Sequence, residues 1–365
     1  LDRVEPAVSA ALVEHSARLA ADVVDALGAR RESWLPGYRI RILDGNAPSA
    51  TEHRLKVLRD TWAAPLPGKI LVVFDPERGV AEKVFLTEDG HAQERSLLGD
   101  VLSAVEAGDL WMADRNFCTL GFLFGIHRRK AFFLIRQHGQ LKGTLVGERR
   151  KVGRSETGEV FEQTIRLKDP ETEEEVDFRR ITVVLDKPTR GGEGELHLLS
   201  DVPAEDADAV MLAELYRKRW TIETLFQEVT ATLQCEISTL GYPKAALFAF
   251  CLALMASNGV AVLKGAMRAE HGEATVRDEI SGYFLALELK GTYEGMMIAI
   301  PEEHWRIFRT MSVGELAGEL RELARQMVLK RYRKHPRGPK KPPPKKSAYK
   351  DGGHVSTWKR LNGIE

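Results

Sequence analysis

The sequence predicts a mixed α/β fold, and three features carry that reading. Short apolar strands with tight connections cluster between residues 38 and 87. Helix-period and strand-period segments then alternate up to residue 136. A second helical region follows a stretch, 139–203, rich in charge, glycine and β-branched residues. Each element has a local reason. Leu12, Leu19, Val23, Val24 and Leu27 recur at helical spacing and Gly28 stops them, which predicts an N-terminal helix over 12–27. After Pro36, segment 38–43 alternates and stops at Asp44-Gly45, 69–74 stops at Asp75-Pro76, and 81–87 stops at Glu88-Asp89-Gly90, an antiparallel meander. Residues 91–107 read as helix, with Leu97, Leu98, Val101, Leu102 and Val105 on one side. A compact strand over 110–113 ends in Asp114; a helix over 119–129 and a strand over 131–136 follow. Three strands, helix, strand, helix, strand on a mixed sheet is the order of the RNase H-like fold.

At 365 residues and 40.8 kDa the chain exceeds one ordinary domain of about 100 to 200 residues. The expected division is a helical segment, 1–36; a first part of the core, 37–138; a β-rich insertion, 139–205, with strands over 161–167, 178–185 and 195–199; a second part of the core, 206–270, with helices over 207–233 and 243–268; a helical region, 271–330; and a disordered basic tail, 331–365. With 43% hydrophobic and 29% charged residues the composition is that of soluble globular proteins, excluding collagen-like, disulfide-scaffold and wholly disordered classes. Lysine plus arginine (53) equals aspartate plus glutamate (53), so net charge selects no partner. Distribution does: residues 330–350 hold ten lysines and arginines, five prolines and no acid, including Lys340, Lys341, Lys345 and Lys346. Such a segment attracts DNA through counterion release, or is simply a solvated terminus. Cys118, Cys235 and Cys251 are scattered without a CxxC pair, which argues for a reducing cytoplasm. The longest apolar run, about eleven residues over 245–255, is short of the roughly 20 needed to cross a membrane, and no signal-peptide pattern opens the sequence.

The chemistry concentrates in carboxylates. Asp44 and Asp114 stand where strands end, the places from which a mixed sheet presents side chains into a crevice; an aspartate there is also a common turn or cap residue. In YRKRWTIETLFQEVT, Tyr216, Arg219 and Glu223 project within an arc of roughly 60° on a helix. The apolar stripe of Leu215, Ile222, Phe226, Val229 and Leu233 is centred roughly 80° away, so Glu223 is expected at the rim of a packed interface. Arg219 and Glu223 also satisfy the bland reading of a surface i,i+4 pair worth about 0.3 to 0.5 kcal/mol. Together the three carboxylates suit two-metal phosphoryl transfer, in which two Mg²⁺ ions about 3.5 to 4 Å apart need carboxylate oxygens on both sides. No HExxH, GxSxG or GxxxxGK[ST] motif competes. Asp75, Glu88 and Asp89 are alternatives to Asp44, and His91 and His138 are placed outside the set.

With these residues the chain resembles bacterial insertion-sequence transposases of the DDE type, in the insertion-sequence-four group. Their signature is tyrosine, two residues, arginine, three residues, glutamate, six residues, lysine. Tyr216, Arg219 and Glu223 match that spacing, DGN at Asp44 and ADRNF at Asp114 match the two aspartate motifs in order, and the resemblance covers roughly residues 38–260. It implies that Asp44 bridges two Mg²⁺ ions, for which Mn²⁺ can substitute, while Asp114 and Glu223 each hold one. It also implies that Arg219 and Tyr216 grip the phosphate, and that the enzyme works as a homodimer on transposon ends and target DNA in the bacterial cytoplasm. Arg115 and Asn116, which follow the second aspartate, either touch DNA or serve a structural role. Two departures stand out. Thr230 occupies the signature lysine position, and between residues 131 and 215 there is no tryptophan or tyrosine to stack on a flipped base, leaving Phe161 and Phe178 beyond Phe132 and Phe133. A purely hydrolytic nuclease of the same fold and an inactive DNA-binding relic remain alternatives at this point.

Overall fold

The computed structural model describes residues 1–48, 55–59, 63–189, 191–233, 241–288, 300–335 and 353–364. Its centre is a sheet whose five core strands are arranged around β1 (Arg39–Asn46). β3 (Lys69–Asp75) pairs antiparallel on one side of β1, with Asp44 opposite Val72, and β4 (Val80–Thr87) pairs antiparallel beyond it. β5 (Asp109–Ala113) runs parallel to β1 on the other side, with Ala113 opposite Leu43, and β6 (Phe132–Arg136) runs parallel to β5. The order β4-β3-β1-β5-β6 is that of the RNase H-like core expected from the sequence.

The insertion extends this sheet. β10 (Glu195–Ser200) joins β6 antiparallel, and β9 (Glu175–Leu185), β8 (Gly158–Lys168) and β7 (Thr144–Ser155) follow outward, making nine strands among the described residues. β7 had no expected counterpart in the sequence. It is a largely exposed edge strand rich in arginine and lysine, a composition that blunts an edge against further pairing and hides the alternation that marks a strand.

Period-two alternation sorts the core strands into two faces. Ile40, Ile42, Ile70, Val72, Leu110 and Met112 face α4 (Ala209–Arg217), α5 (Thr221–Gln227) and α6 (Pro243–His271). Leu43, Leu71, Val73, Trp111 and Phe133 face α2 (Leu98–Leu102) and α3 (Leu120–Arg128). The edge of β4 is covered by α6 and α1 (Pro6–Ala26): the Asn258 side chain accepts from the Ala81 amide (2.8 Å), donates to the Ala81 carbonyl (3.1 Å) and reaches Ser16 Oγ (3.1 Å). α7 (Glu273–Glu279) and α9 (Val313–Gln326) close a third cluster around Val24, Leu27 and Met267, and α8 (Arg306–Thr310) precedes α9.

Four expectations change. The helix expected over 91–107 shrinks to a 3₁₀ turn, Glu94–Leu97, and the five residues of α2. Ser96 and Ser103 return their hydroxyls to the carbonyls of Gln93 (2.7 Å) and Asp100 (2.6 Å), and Gly99 weakens what lies between. The helix expected over 207–233 is broken by a 3₁₀ turn, Lys218–Trp220, between α4 and α5 and ends in a π turn, Glu228–Thr232. The end of the basic tail is folded: β11 (His354–Ser356) pairs parallel with β2 (Ala64–Leu66), and Ser356 caps α10 (Thr357–Leu361). Lys340, Lys341, Lys345 and Lys346 lie outside the described residues. Finally, α6 is long and apolar enough in composition to cross a membrane, because Ser257, Asn258 and Gly259 interrupt the apolar run without adding charge. Seventeen of its residues are buried, as in the interior helix of a folded domain.

Candidate active site

Asp44 belongs to β1 itself, since the strand continues to Asn46. By alternation it shares the face of Ile40 and Ile42, toward α4 and α5. Asp114 follows β5 directly, and because Ala113 pairs with Leu43 the two aspartates emerge on neighbouring parallel strands at the same end of the sheet. Asp114 also does what a turn aspartate does: its Oδ1 accepts the Asn116 amide (2.7 Å) and caps the 3₁₀ turn Arg115–Phe117. The structural and the site readings of this residue therefore coexist.

Arg219 joins the helical carboxylate to the strand carboxylates. It lies in the 3₁₀ turn between α4 and α5 and is only 6% exposed. Its Nη1 donates to Asp44 Oδ2 (2.9 Å), and its Nη2 stands 3.6 Å from Glu223 Oε1. Glu223 is at the rim, its side chain 47% exposed. Burial pushes the Asp44 carboxyl up, opposed by the Arg219 charge and the Gly45 amide (2.8 Å), while the charge of Asp114 adds to the upward push. The charge of Asp114 thus acts on Asp44, and Arg219 compensates it.

Tyr216 is buried under this arrangement. Its hydroxyl donates to the Ala113 carbonyl (3.3 Å), the residue before Asp114, and burial pushes its pKa up to about 12. The tyrosine of the signature therefore braces the end of β5, a placement its spacing could not show. Arg115 is half-exposed and paired with Glu193 (2.9 Å), and the Asn116 carbonyl accepts from Arg95 Nε (2.7 Å). Thr230 lies in the π turn after α5. Phe178 is buried edge-on against Phe124 and Phe133, and Phe161 carries the Arg149 guanidinium over its ring at 4.3 Å.

The alternatives have other tasks. Asp75 is buried and accepts the amides of Glu77 (2.9 Å) and Arg78 (3.1 Å), closing the turn into β4. Asp89 accepts from Ser356 Oγ (2.7 Å), and His91 Nε2 meets the His354 carbonyl (3.0 Å), so both serve the docking of β11. The His138 ring accepts the Gln140 amide (3.2 Å).

One acid at this end of the sheet is absent from the sequence reading. Glu94, in the turn before α2, presses its carboxylate against Gly45, where a Cβ would stand 2.4 Å from Oε1. Burial pushes its pKa up; Lys69 and Asn116 oppose this, and the charges of Asp114 and Asp44 add to it. Nothing in EDGHAQER distinguishes Glu94 from a surface acid, because its significance is a contact across 49 positions of sequence.

Among the described residues no group of three acidic, histidine or cysteine side chains is already gathered around one ion position. The donor set still fits hard divalent cations: all its members are carboxylates, Asp44 and Asp114 repel each other, and a guanidinium now spans Asp44 and Glu223.

Residues 36–258 match the family model described as Transposase DDE domain. The protein named "Putative transposase y4zB" from Sinorhizobium fredii is 28% identical over 169 residues, 46% of this chain and 45% of that one, so the match spans less than half of that relative. A cryo-EM structure of the piggyBac transposase synaptic complex with hairpin DNA aligns with TM-score 0.37 and 10% identity over 80% of this chain and 53% of that one.

Proposed function

The chain belongs to the transposase DDE domain family, and from that premise we propose that it cuts DNA at the ends of an insertion sequence and joins the freed 3′-hydroxyl to target DNA. The observation that carries this reading is the meeting, around Arg219, of an aspartate from β1 and a glutamate from α5, with a second aspartate from the end of β5 alongside. Asp44, Asp114 and Glu223 would hold two Mg²⁺ ions, with Mn²⁺ able to substitute. Such cations lower the pKa of the attacking oxygen and offset charge on the leaving oxygen.

The remaining work falls to this chain's own groups. Asn116 fixes the rotamer of Asp114 through its amide, and Tyr216 braces the strand end that carries it. Its buried hydroxyl favours positioning over phosphate contact. Arg219, once turned from Asp44 and Glu223, offers a planar fork suited to two phosphate oxygens and orients the scissile bond for in-line attack. Half-exposed Arg115 is available to the DNA backbone, and Lys340, Lys341, Lys345 and Lys346 would add sequence-independent affinity that falls with salt. Joining two ends implies a homodimer on DNA in the bacterial cytoplasm, and the motif spacing favours the insertion-sequence-four group.

The test uses a donor duplex carrying the element's own ends. The wild type should nick an uncut donor, and should join a pre-cleaved donor end to target DNA when that end carries a 3′-hydroxyl but only bind it when it is 3′-deoxy. Nicking of the uncut donor without joining of the 3′-hydroxyl end would turn the reading to a hydrolytic nuclease.

A further inference from the structure

A row of three residues crosses the carboxylate end of the sheet. Ala113 pairs with Leu43 on β1 and with Ile135 on β6, so Asp44, Asp114 and Arg136, each the next residue along, stand at one level on neighbouring parallel strands. Such strands lie about 4.8 Å apart, which puts Arg136 one step beyond Asp114. By alternation Arg136 shares the face of Leu134, toward α4, and its charge and that of Asp114 both reach the Tyr216 hydroxyl.

Arg136 is paired with Glu193, which lies in the hairpin between β9 and β10: its Nη2 donates to Glu193 Oε2 at 2.5 Å. Arg115, the residue after Asp114, donates from Nη1 to Oε1 of the same carboxylate at 2.9 Å. One carboxylate therefore bridges two guanidiniums beside Asp114, and one positive charge is left over. Tying a hairpin to the sheet needs only one of these contacts. The hairpin is also loosely held at this point. Glu193 stands in Gly191-Gly192-Glu193-Gly194, and a Cβ on Gly192 or Gly194 would meet nothing within 4 Å. Its remaining side-chain contact, to Thr189 Oγ1 at 3.3 Å, stays within the hairpin, as does the bond from its amide to the same hydroxyl at 3.1 Å. The carboxylate can leave the two arginines without opening the core. A phosphodiester presents guanidiniums with the same pair of anionic oxygens.

Resting on the reading above, we propose that Arg136 and Arg115 form a clamp for a DNA backbone phosphate beside the carboxylates, and that Glu193 fills this clamp in the free protein and is displaced when DNA binds. The glutamate is a built-in competitor: it lowers DNA affinity by the fraction of protein in which the clamp is occupied.

The experiment measures binding of the end-carrying donor duplex to the full chain in EDTA, by fluorescence anisotropy over a series of salt concentrations. Arg136→Gln and Arg115→Gln should each weaken binding, and Arg136→Gln should reduce the slope of log affinity against log salt by about one. Glu193→Gln should tighten binding about two- to fivefold, and that gain should vanish when both arginines are also replaced by glutamine. Glu195→Gln controls for the general loss of a negative charge: its carboxylate pairs with Arg149 on the other face of the insertion, and the variant should bind as the wild type does. Unchanged or weaker binding in Glu193→Gln, or a gain that persists without the two arginines, would overturn the competitor. Wild-type affinity in both single arginine variants would overturn the clamp. A wild type that binds DNA and never cuts it would overturn the proposed chemistry and leave the clamp standing, whereas one that binds no DNA would overturn both.

Discussion

Removing the Arg219 guanidinium should expose how strained the carboxylate cluster is. Arg219→Met keeps most of the stem and deletes the charge. The Asp44 side chain is 18% exposed and that of Arg219 8%, and breaking such a pair by deleting one partner costs about 3 to 5 kcal/mol. The Glu223 contact is longer, 3.6 Å, and its carboxylate half in solvent, so it adds only about 0.3 to 0.5 kcal/mol. Asp44 retains the Gly45 amide at 2.8 Å, which offsets part of the loss. A net destabilisation of about 3 kcal/mol is expected at neutral pH in EDTA, read from urea unfolding. Millimolar Ca²⁺ should recover part of it, because a bound cation replaces the missing charge. Asp44→Asn combined with Arg219→Met should cost clearly less than the sum of the two single changes. Wild-type stability of Arg219→Met in EDTA, or simple additivity in the double variant, would refute the pairing.

Three further outcomes follow from the fold. Tyr216→Phe should cost about 0.5 to 1.5 kcal/mol by the loss of its bond to Ala113 and leave DNA affinity unchanged in a gel-shift titration, whereas a tyrosine in contact with phosphate would weaken binding. Asn258→Ala should cost about 2 to 4 kcal/mol in thermal or urea unfolding, because it leaves the buried amide and carbonyl of Ala81 unpaired. The Asp201 carboxylate, accepting from His127 Nδ1 at 2.9 Å, raises the His127 pKa above its usual 6.5 against a smaller opposing effect of burial. On the alkaline side, stability from this pair is therefore full as pH falls to 6.5 and lost as pH rises through the raised value; on the acid side it ends where Asp201, its carboxyl pushed up by burial, takes a proton, and His127→Gln should flatten the urea midpoint across the upper window.

What the sequence made legible is what local pattern controls. β3, β4 and β5 are apolar runs stopped by Asp-Pro, Glu-Asp-Gly or a bare aspartate, and β1 and β6 are compact apolar runs, so the succession of strands along the chain could be read directly, although β1 runs on through Asp44 to Asn46. The shared face of Tyr216, Arg219 and Glu223 was visible in their spacing. Their separate fates were not: a 3₁₀ turn at Lys218–Trp220 and the packing of α4 send Tyr216 inward to Ala113 and leave Glu223 at the rim. β7 escaped because an exposed edge strand needs charge more than alternation, and β11 because its reason to be ordered lies in β2 and Asp89, far away in sequence. Glu94 escaped for the same reason, since its partner is a missing side chain at Gly45.

Asp44, Asp114 and Glu223 are proposed to act together on DNA phosphate. The most direct measurement follows an end-labelled donor through nicking and joining with Mg²⁺, comparing wild type with Asp44→Asn, Asp114→Asn and Glu223→Gln while DNA binding is measured in parallel. Nicked and joined products are expected from the wild type alone, with binding retained in every variant. Cleavage surviving in any one of the three, or a wild type that binds the ends and cuts under no divalent cation, would contradict it.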